Sequence, residues 1–260
     1  MSPVPRFAGY LFDLDGTVYL GDEALPGAVA AIRQLCAEAR RIVFVSNNPT
    51  HTPAEYVARL ARIGIAVPEA AVLNSAQVLV EWLGHQQPGA RVYAIGEAPL
   101  QHGLDAAGFV RATDPRATDV VVASFDRDFS YRKLQFAFDA LRAGARLVAT
   151  NGDRYCPVPG GGEPDAAAVI AAISACTGIA CEQVVGKPSA IMARAALARI
   201  GLAPAACLMV GDRLETDIAM GRDAGMATAL TLTGATSRAE ALRAPAAADF
   251  LIDTLADLVR

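Results

Sequence analysis

The first part of the chain alternates apolar runs with longer mixed segments, which predicts strands and helices in turn. An apolar run over 6–12 stops at an aspartate, as is typical of a fully buried strand in a parallel sheet. A helix is expected over 27–40, a second buried strand over 42–45 and a second helix over 53–63. These segments indicate a β-α-β-α order.

The same order returns near the C-terminus. Strands are predicted at 184–185, 207–210, 227–232 and 250–252, and helices over 188–200 and 218–224. Strands and helices that alternate at these lengths predict an α/β fold with a doubly wound parallel sheet. Ligands of such sheets bind beyond the carboxyl ends of the strands, so polar residues at those ends are the candidates for function.

The middle of the chain carries its own alternating series. Strands are predicted at 91–95, 120–123 and 147–149, and helices over 100–107, 131–143 and 165–176. About 100 residues with apolar strands of their own are enough for a second hydrophobic core. We therefore predict a catalytic core built from residues 1–77 and 182–260, with residues 78–181 inserted as a second α/β domain.

One loop within the inserted segment stands out by its composition. Residues 157–164 contain three consecutive glycines, a feature that suggests a phosphate-binding loop. The loop matches neither the dinucleotide-binding nor the P-loop pattern, and we interpret it as a flexible connection.

Composition and charge narrow the classes of protein. The 260 residues are 53% hydrophobic and 19% charged, which suits a large buried core. The net charge is −4 without a basic cluster, so a nucleic-acid partner is not expected. Charged residues interrupt every apolar stretch before the ~18 residues of a membrane span, and residues 1–6 lack the apolar centre of a signal peptide. A cytoplasmic protein without a membrane partner is expected, and the sequence leaves open whether it forms a homodimer.

The cysteines and histidines show no pattern typical of a redox or zinc site. The five cysteines form no C-x-x-C pair, and the three histidines are not spaced as zinc ligands. Catalysis is therefore expected from carboxylates, hydroxyl groups and lysine.

Two carboxylates follow the end of the first predicted strand. Asp13 and Asp15 are separated by one residue, and Asp15 lies directly before Gly16, where the backbone is expected to turn. The strand end directs them to the usual ligand position of an α/β sheet. An ordinary Asp-Gly turn is the alternative, and the pair alone does not decide between them.

Two further groups follow predicted strands. Ser46, Asn47 and Asn48 offer hydrogen-bond donors suited to an oxyanion. Taken alone they are better explained as an asparagine-rich turn or helix cap, but their position after a strand favours a function. Lys187 lies between a glycine and Pro188 at a strand-to-helix corner, where it is a candidate point charge for a phosphate. A solvated lysine is the alternative.

The last group follows the strand at 207–210. Asp212 lies at the strand end, and Asp217 precedes a predicted helix that it could simply cap. All four groups fall at predicted carboxyl ends of strands, so folding is expected to bring them together. In this order they resemble the four motifs of the haloacid dehalogenase (HAD) superfamily. Those motifs correspond here to Asp13-x-Asp15-Gly16-Thr17, Ser46, Lys187 and Gly211-Asp212-x-x-x-Thr216-Asp217.

The resemblance extends over the whole chain and is closest to subfamily IIA, the NagD-like branch with p-nitrophenyl and phosphoglycolate phosphatases. It implies a Rossmann-like core with an inserted α/β cap domain of the C2 type between Ser46 and Lys187. One segment departs from the branch, which commonly has Thr-Asn-Pro-Asp where this chain has Thr150-Asn151-Gly152-Asp153. Glycine is freer than proline, so a more mobile loop is expected there.

The resemblance also implies roles for individual residues. Asp13 would be the nucleophile and Asp15 the general acid and base, which true dehalogenases lack because a halide leaves without a proton. Mg²⁺ would be held by the Asp13 and Asp212 carboxylates and the Asp15 carbonyl, with Asp217 orienting water or Lys187.

The substrate's phosphate would be held by Ser46, Asn47 and Lys187. Asn151 and Asp153 are candidates for substrate contact in the cap, and a role as turn formers is an equal alternative.

The resulting hypothesis is a Mg²⁺-dependent phosphatase that hydrolyses a small-metabolite phosphate monoester through an aspartyl-phosphate. A phosphotransferase to a sugar acceptor and a catalytically silent phosphometabolite-binding protein are the alternatives. The presence of both Asp13 and Asp15 argues against the silent protein, because binding alone requires neither.

Overall fold

The computed structural model describes residues 4–260. The first three residues of the N-terminal segment, to which the signal-peptide argument applied, lie outside the described residues. Among residues 4–260, no helix has the length and apolar character needed to cross a bilayer.

The strands, in chain order, are β1 Gly9–Phe12, β2 Tyr19–Leu20, β3 Glu23–Ala24, β4 Arg41–Ser46, β5 Val72–Asn74, β6 Arg91–Ile95, β7 Val110–Arg111, β8 Val120–Ala123, β9 Arg146–Ala149, β10 Tyr155–Val158, β11 Gly161–Pro164, β12 Gln183–Val184, β13 Cys207–Gly211, β14 Ala227–Thr231 and β15 Phe250–Ile252.

The α-helices are α1 Ala28–Ala37, α2 Pro53–Arg62, α3 Ser75–Gln86, α4 Ala98–Ala106, α5 Tyr131–Arg142, α6 Ala166–Thr177, α7 Ala190–Ile200, α8 Ala219–Asp223 and α9 Arg238–Arg243. A π-helical turn, Leu214–Ile218, leads into α8. Short 3₁₀ helices lie at Glu69–Ala71, Pro115–Ala117, Pro204–Ala206 and Leu255–Leu258.

A six-stranded parallel sheet combines both ends of the chain, in the order β15-β14-β13-β1-β4-β5. Its central strands β1 and β13 are buried at every position, which explains their uninterrupted apolar runs. The predicted doubly wound core is confirmed. Strand β5 was not predicted, because three residues that pass directly into a helix show no periodicity.

The inserted segment forms a second parallel sheet, in the order β12-β9-β8-β6-β7. The predicted strand at 184–185 was placed in the core, and this placement is wrong: Gln183–Val184 pairs with β9 of the inserted sheet. The boundary at 77/78 falls within α3, which packs against both α4 and α7. We propose that the cap extends to Val184, with α3 shared between cap and core.

The glycine-rich segment is not a flexible connection. It forms most of an antiparallel hairpin, β10–β11, in which Tyr155 pairs with Pro164 and Val158 with Gly161. Pro159 and Gly160 make the two-residue turn, and Gly160 has φ 83°, as the second central position of a type II turn requires. Glycines and prolines prevented the sequence from being read as strands, although Pro159-Gly160 matches the central pair of a type II turn.

Candidate active site

The carboxyl ends of three neighbouring strands meet at one edge of the six-stranded sheet. Asp13 follows β1, Ser46 ends β4 and Asp212 follows β13. Lys187 reaches the same place from the cap side, three residues after β12. The structure therefore brings together groups that are up to 200 positions apart in the sequence, as expected for ligands of an α/β sheet.

Lys187 is the positive centre of this cluster. Its ammonium forms ion pairs with Asp13 and with Asp217, the latter at 2.7 Å, and donates a hydrogen bond to the Val45 carbonyl at 3.1 Å. The side chain is only 3% exposed. Burial alone would lower the pKa of Lys187, but Asp13 and Asp217 together raise it above its ordinary value. The lysine is therefore charged at neutral pH.

The carboxylates outnumber the cations around this lysine. Oxygen atoms of Asp13, Asp212 and Asp217 lie within 4.8 Å of one another. Burial, only partly offset by Lys187, raises the pKa of Asp13 to about 6. Burial and the neighbouring Asp13 carboxylate raise the pKa of Asp212 to about 8. Such a cluster is stabilised by protons or by a bound cation.

The donor set fits a hard divalent cation. Asp212 Oδ2 accepts a hydrogen bond from the Ala235 amide at 2.6 Å, whereas Oδ1 is buried and has no hydrogen-bond partner among residues 4–260. A buried carboxylate oxygen without a partner is costly unless an ion binds it. All three acidic side chains offer oxygen, the ligand that Mg²⁺ prefers.

Asp217 is engaged differently from the other two carboxylates. Its Oδ2 accepts a hydrogen bond from the Arg213 amide at 3.1 Å, and its Oδ1 pairs with Lys187. It lies in the π-helical turn and fixes that turn to the lysine instead of capping the following helix. This engagement suits the predicted orienting role better than direct metal ligation.

Two motif glycines make room for these carboxylates. Gly16 has φ 88°, and a Cβ there would lie 2.6 Å from Asp212 Oδ2. A Cβ on Gly211 would lie 2.3 Å from the Asp217 side chain. Any other residue at either position would displace an acidic group of the cluster.

Asp15 lies beside the cluster and lines the same cavity. Burial and then the charge of Asp13 raise its pKa to about 7, while Arg59, Lys187 and Arg213 oppose that rise. A carboxyl group with such a pKa can hold a proton near neutrality and release it again, as a general acid and base must.

The loop after β4 is held by internal hydrogen bonds. Ser46 Oγ accepts a hydrogen bond from the Asn48 amide at 3.1 Å. Asn47 Oδ1 accepts a bond from the Lys187 amide at 2.7 Å, and its Nδ2 donates to the Lys187 carbonyl at 3.1 Å and to Asp153 at 2.9 Å. Asn47 thus positions the backbone of Lys187, and its contact with a phosphate stays a prediction.

The two cap candidates are placed differently. Asp153 lines the catalytic cavity. Asn151 is fully buried beneath it, and its Nδ2 donates hydrogen bonds to Asp165 at 3.1 Å and to Asp153 at 3.3 Å. Of these two candidates, Asp153 faces the cavity and Asn151 supports it from below, and the contact of either with a substrate stays a prediction.

Several cavity residues were missed by the sequence analysis. The cavity at Asp13 has room for about 40 Å³ of water-sized occupants. Asn48 and Thr216, which the sequence analysis named in the second and fourth groups, line it without an assigned role, and the residues that it did not name are Tyr155, Cys156, Pro157, Asp165 and Arg213. Arg213 lies inside the fourth motif and had a signal in the sequence. The cap residues Tyr155, Cys156, Pro157 and Asp165 had none, because their position depends on how the cap folds across the core.

Comparisons with known proteins agree with this geometry. A haloacid dehalogenase-like hydrolase family model matches residues 10–110, and a HAD-hydrolase-like model matches residues 184–258. The sugar-phosphatase AraL of Bacillus subtilis is 37% identical over 254 residues, which cover 97% of this chain and 92% of that protein. An acid sugar phosphatase of Staphylococcus aureus is 35% identical over 229 residues, which cover 88% of each chain.

Solved structures are similar over almost the whole chain. The p-nitrophenyl phosphatase from Archaeoglobus fulgidus has a TM-score of 0.90 at 31% identity, covering 98% of this chain and 99% of its own. NagD from E. coli has a TM-score of 0.88 at 29% identity, covering 97% and 98%.

Proposed function

Because this chain belongs to the haloacid dehalogenase-like hydrolases, in their NagD-like subfamily IIA, we propose that it hydrolyses small-metabolite phosphate monoesters through an aspartyl-phosphate on Asp13. It is a phosphoric monoester hydrolase. The observation that carries the mechanism is the ion pairing of buried Lys187 with Asp13, within reach of Asp212. We further propose Mg²⁺ as its cofactor and the cytoplasm as its location.

In the proposed reaction, the Asp13 carboxylate attacks phosphorus, and the bond to the leaving alcohol's oxygen breaks as the new bond forms. Asp15 donates its proton to that oxygen. Asp15 then removes a proton from water, the water oxygen attacks the aspartyl-phosphate, and phosphate leaves with the Asp13 carboxylate restored. The raised pKa of Asp15 supports this double role.

Charge distribution supports the remaining assignments. Lys187 favours the ionised form of Asp13 and lies where phosphoryl oxygens would come, with Ser46 and Asn47 beside it. The Asp13 and Asp212 carboxylates and the Asp15 carbonyl would hold the metal ion, which would offset the charge of the substrate phosphate. Asp217 would keep Lys187 in place.

The relatives guide the choice of substrates. Proteins named sugar phosphatases and p-nitrophenyl phosphatases are similar over most of this chain. Sugar phosphates and p-nitrophenyl phosphate are therefore the first esters to test, with phosphoglycolate and nucleotides for comparison.

The test compares the purified protein with Asp13→Asn on this panel, with and without Mg²⁺. We expect phosphate release that requires the metal ion and falls ~1,000-fold or more in the variant, because the nucleophile is lost. Asp223→Asn, an aspartate on α8 with 63% side-chain exposure, is the control and should keep full activity.

The same assay separates the alternatives. Product that appears on an added sugar faster than on water would favour the phosphotransferase. Binding of esters without release of phosphate, or release that Asp13→Asn does not change, would overturn the proposed mechanism.

A further inference from the structure

We infer that Arg213 is a specificity-determining residue, which with Tyr155 forms a latch that closes the catalytic cavity against large leaving groups. The inference rests on the proposed function, since it concerns the same site. Neither the motif roles nor the metal cluster requires this side chain to contact the cap.

The Arg213 backbone contacts the acidic cluster, whereas its side chain contacts the cap. Its amide donates a hydrogen bond to Asp217 Oδ2 at 3.1 Å. Its guanidinium lies over the Tyr155 ring, 4.9 Å from the centroid, and Nη2 donates a hydrogen bond to the Tyr155 carbonyl at 3.3 Å. One residue therefore connects the catalytic loop directly to the β10–β11 hairpin.

The aromatic ring also packs closely on the backbone of its own hairpin. A Cβ on Gly162, on the opposite strand of the hairpin, would lie 2.6 Å from Tyr155 Cδ2. Only glycine leaves space for the ring at this position. The ring thus packs against both the hairpin backbone and the guanidinium, with 44% of the residue exposed.

The hairpin contacts the core at further points beyond Arg213. Asn48 Nδ2 lies 3.4 Å from Cys156 Sγ. At the turn, Pro159 packs so closely on Gly21 of the core that a Cβ on Gly21 would be 2.9 Å from its Cγ. The hairpin therefore lies across the cavity from Arg213 to Gly21 and covers it.

The latch separates two cavities. The inner one, at Asp13, has about 40 Å³, and an outer one has about 800 Å³. Both are lined by Arg213, Tyr155, Asp153, Lys187 and Thr216, so these residues form the wall between them. Since a single water needs a cavity of ~10–15 Å³, the inner cavity suits a few waters or a phosphate group and not a sizeable leaving group.

A larger leaving group must therefore extend into the outer cavity. Its wall adds Arg154, Glu215, Thr236 and Glu240, which can bind hydroxyl groups. In the proposed latch, Arg213 and Tyr155 separate to let a hydroxyl-rich group reach from one cavity into the other. The cation–π contact and the hydrogen bond to the Tyr155 carbonyl together favour the closed latch over the open latch by ~10-fold. A preference of this size still allows the latch to open during turnover.

The test measures kcat and KM for esters of increasing size: glycerol 3-phosphate, glucose 6-phosphate and trehalose 6-phosphate. In Arg213→Ala we expect kcat/KM for the largest ester, relative to the smallest, to rise ~10-fold, mainly through a lower KM. Arg213→Lys keeps the charge without the planar stacking group and should give a smaller rise. Arg222→Ala, an arginine on α8 with a half-exposed side chain, should leave the ratio unchanged.

A second measurement is independent of catalysis. Hydrogen exchange of the hairpin amides, residues 155–164, should become ~10-fold faster in Arg213→Ala and stay unchanged in Arg222→Ala. Arg213 is adjacent to Asp212, so each variant is assayed at saturating Mg²⁺ and its half-saturating Mg²⁺ concentration is measured. An unchanged half-saturating concentration shows that the metal site is intact.

An active enzyme whose ester ratio and hairpin exchange are both unchanged in Arg213→Ala would overturn the latch. If the wild-type protein releases no phosphate from any ester, the proposed function fails, and unchanged hairpin exchange would then overturn the latch on its own.

Discussion

At the scale of single residues, the site depends on one buried lysine. Lys187 pairs with two carboxylates, and Asn47 binds its backbone from both the amide and the carbonyl side. Removal of such a lysine destabilises a protein strongly, because its partner carboxylates stay buried without a counter-charge. This cost exceeds the net stabilisation that the ion pairs themselves provide.

We predict that Lys187→Ala lowers the free energy of unfolding by about 3–5 kcal/mol at pH 8, because buried carboxylates lose their counter-charge. At pH 5 the loss should be smaller, since Asp13 and Asp212, with pKa values of about 6 and 8, are then protonated. Urea unfolding at both pH values checks this.

The chain offers a matched control for that change in its only other lysine. Lys133 of the cap pairs with the buried Asp126 at 2.6 Å, so Lys133→Ala also leaves a buried carboxylate unpaired. It should lower stability without loss of phosphatase activity, whereas Lys187→Ala should lower activity ~100-fold or more. Equal activity losses in the two variants would contradict the assignment of Lys187.

A second residue-scale prediction concerns Gly16→Ala. The added Cβ would lie 2.6 Å from Asp212 Oδ2, so Asp212 must move away from the acidic cluster. We expect the half-saturating Mg²⁺ concentration to rise ~10–100-fold, as when the support of a metal ligand is lost. A Mg²⁺ titration of activity measures the shift.

Gly89→Ala is the control for backbone strain. Gly89 has φ 73°, close to the 88° of Gly16, but a Cβ there meets nothing within 4 Å. Both substitutions should cost ~1 kcal/mol of stability through the left-handed backbone. A similar metal shift in both would show that strain, and not the contact with Asp212, is responsible.

At the scale of elements, Asp165 connects the start of α6 to the floor of the cavity. Its carboxylate accepts hydrogen bonds from the Ala166 amide at 2.5 Å and from Asn151 at 3.1 Å. Burial is the largest influence on its pKa and raises it to about 6, against the hydrogen bonds that oppose the rise. This N-cap is therefore a carboxyl group that folding favours in its protonated form.

Its effect on stability follows from that direction. A raised pKa in the folded state means that the stabilising contribution is complete below about pH 4 and is lost as the pH rises through about 6. Compared with Asp165→Asn, the wild-type protein should lose up to about 3 kcal/mol of unfolding free energy between pH 4 and pH 7. Chemical unfolding of both proteins over this range tests it, and parallel stability curves would contradict the prediction.

The elements also show what the sequence could predict. The helix α5 was predicted within one residue because it buries one face at the helical period, and the strand β8 because it is buried on both sides of its sheet. The strand pair β10–β11 was missed because glycines and prolines dominate it. Strand β12 was assigned to the wrong sheet, since two residues carry no information about their partner.

The same distinction applies to the candidate site. Residues whose chemistry recurs in a fixed pattern, such as Asp13 and Lys187, could be nominated from the sequence, and the structure places them in contact. Tyr155 and Asp165 could not, because their position depends on how the cap folds across the core.

At the scale of the whole molecule, the two sheets are not independent bodies joined by loose linkers. Apolar residues of the core, such as Val43 and Leu11, share one continuous buried cluster with Val92 and Val122 of the cap. Helix α3 takes part in this cluster and packs on both sides. Motion between the parts is therefore limited to elements outside the cluster, such as the β10–β11 hairpin.

Strand β12 has a consequence for exchanging caps between related enzymes. Because its two residues complete the cap sheet and Lys187 follows only three residues later, the peptide that ends the cap also delivers the lysine to Asp13. A chimera joined at 181/182 would divide one sheet between two parents, whereas a junction after Val184 keeps that sheet intact. The position of the lysine is thus set by the fold of the cap. A transplanted cap must therefore keep the three-residue spacing between the end of β12 and Lys187.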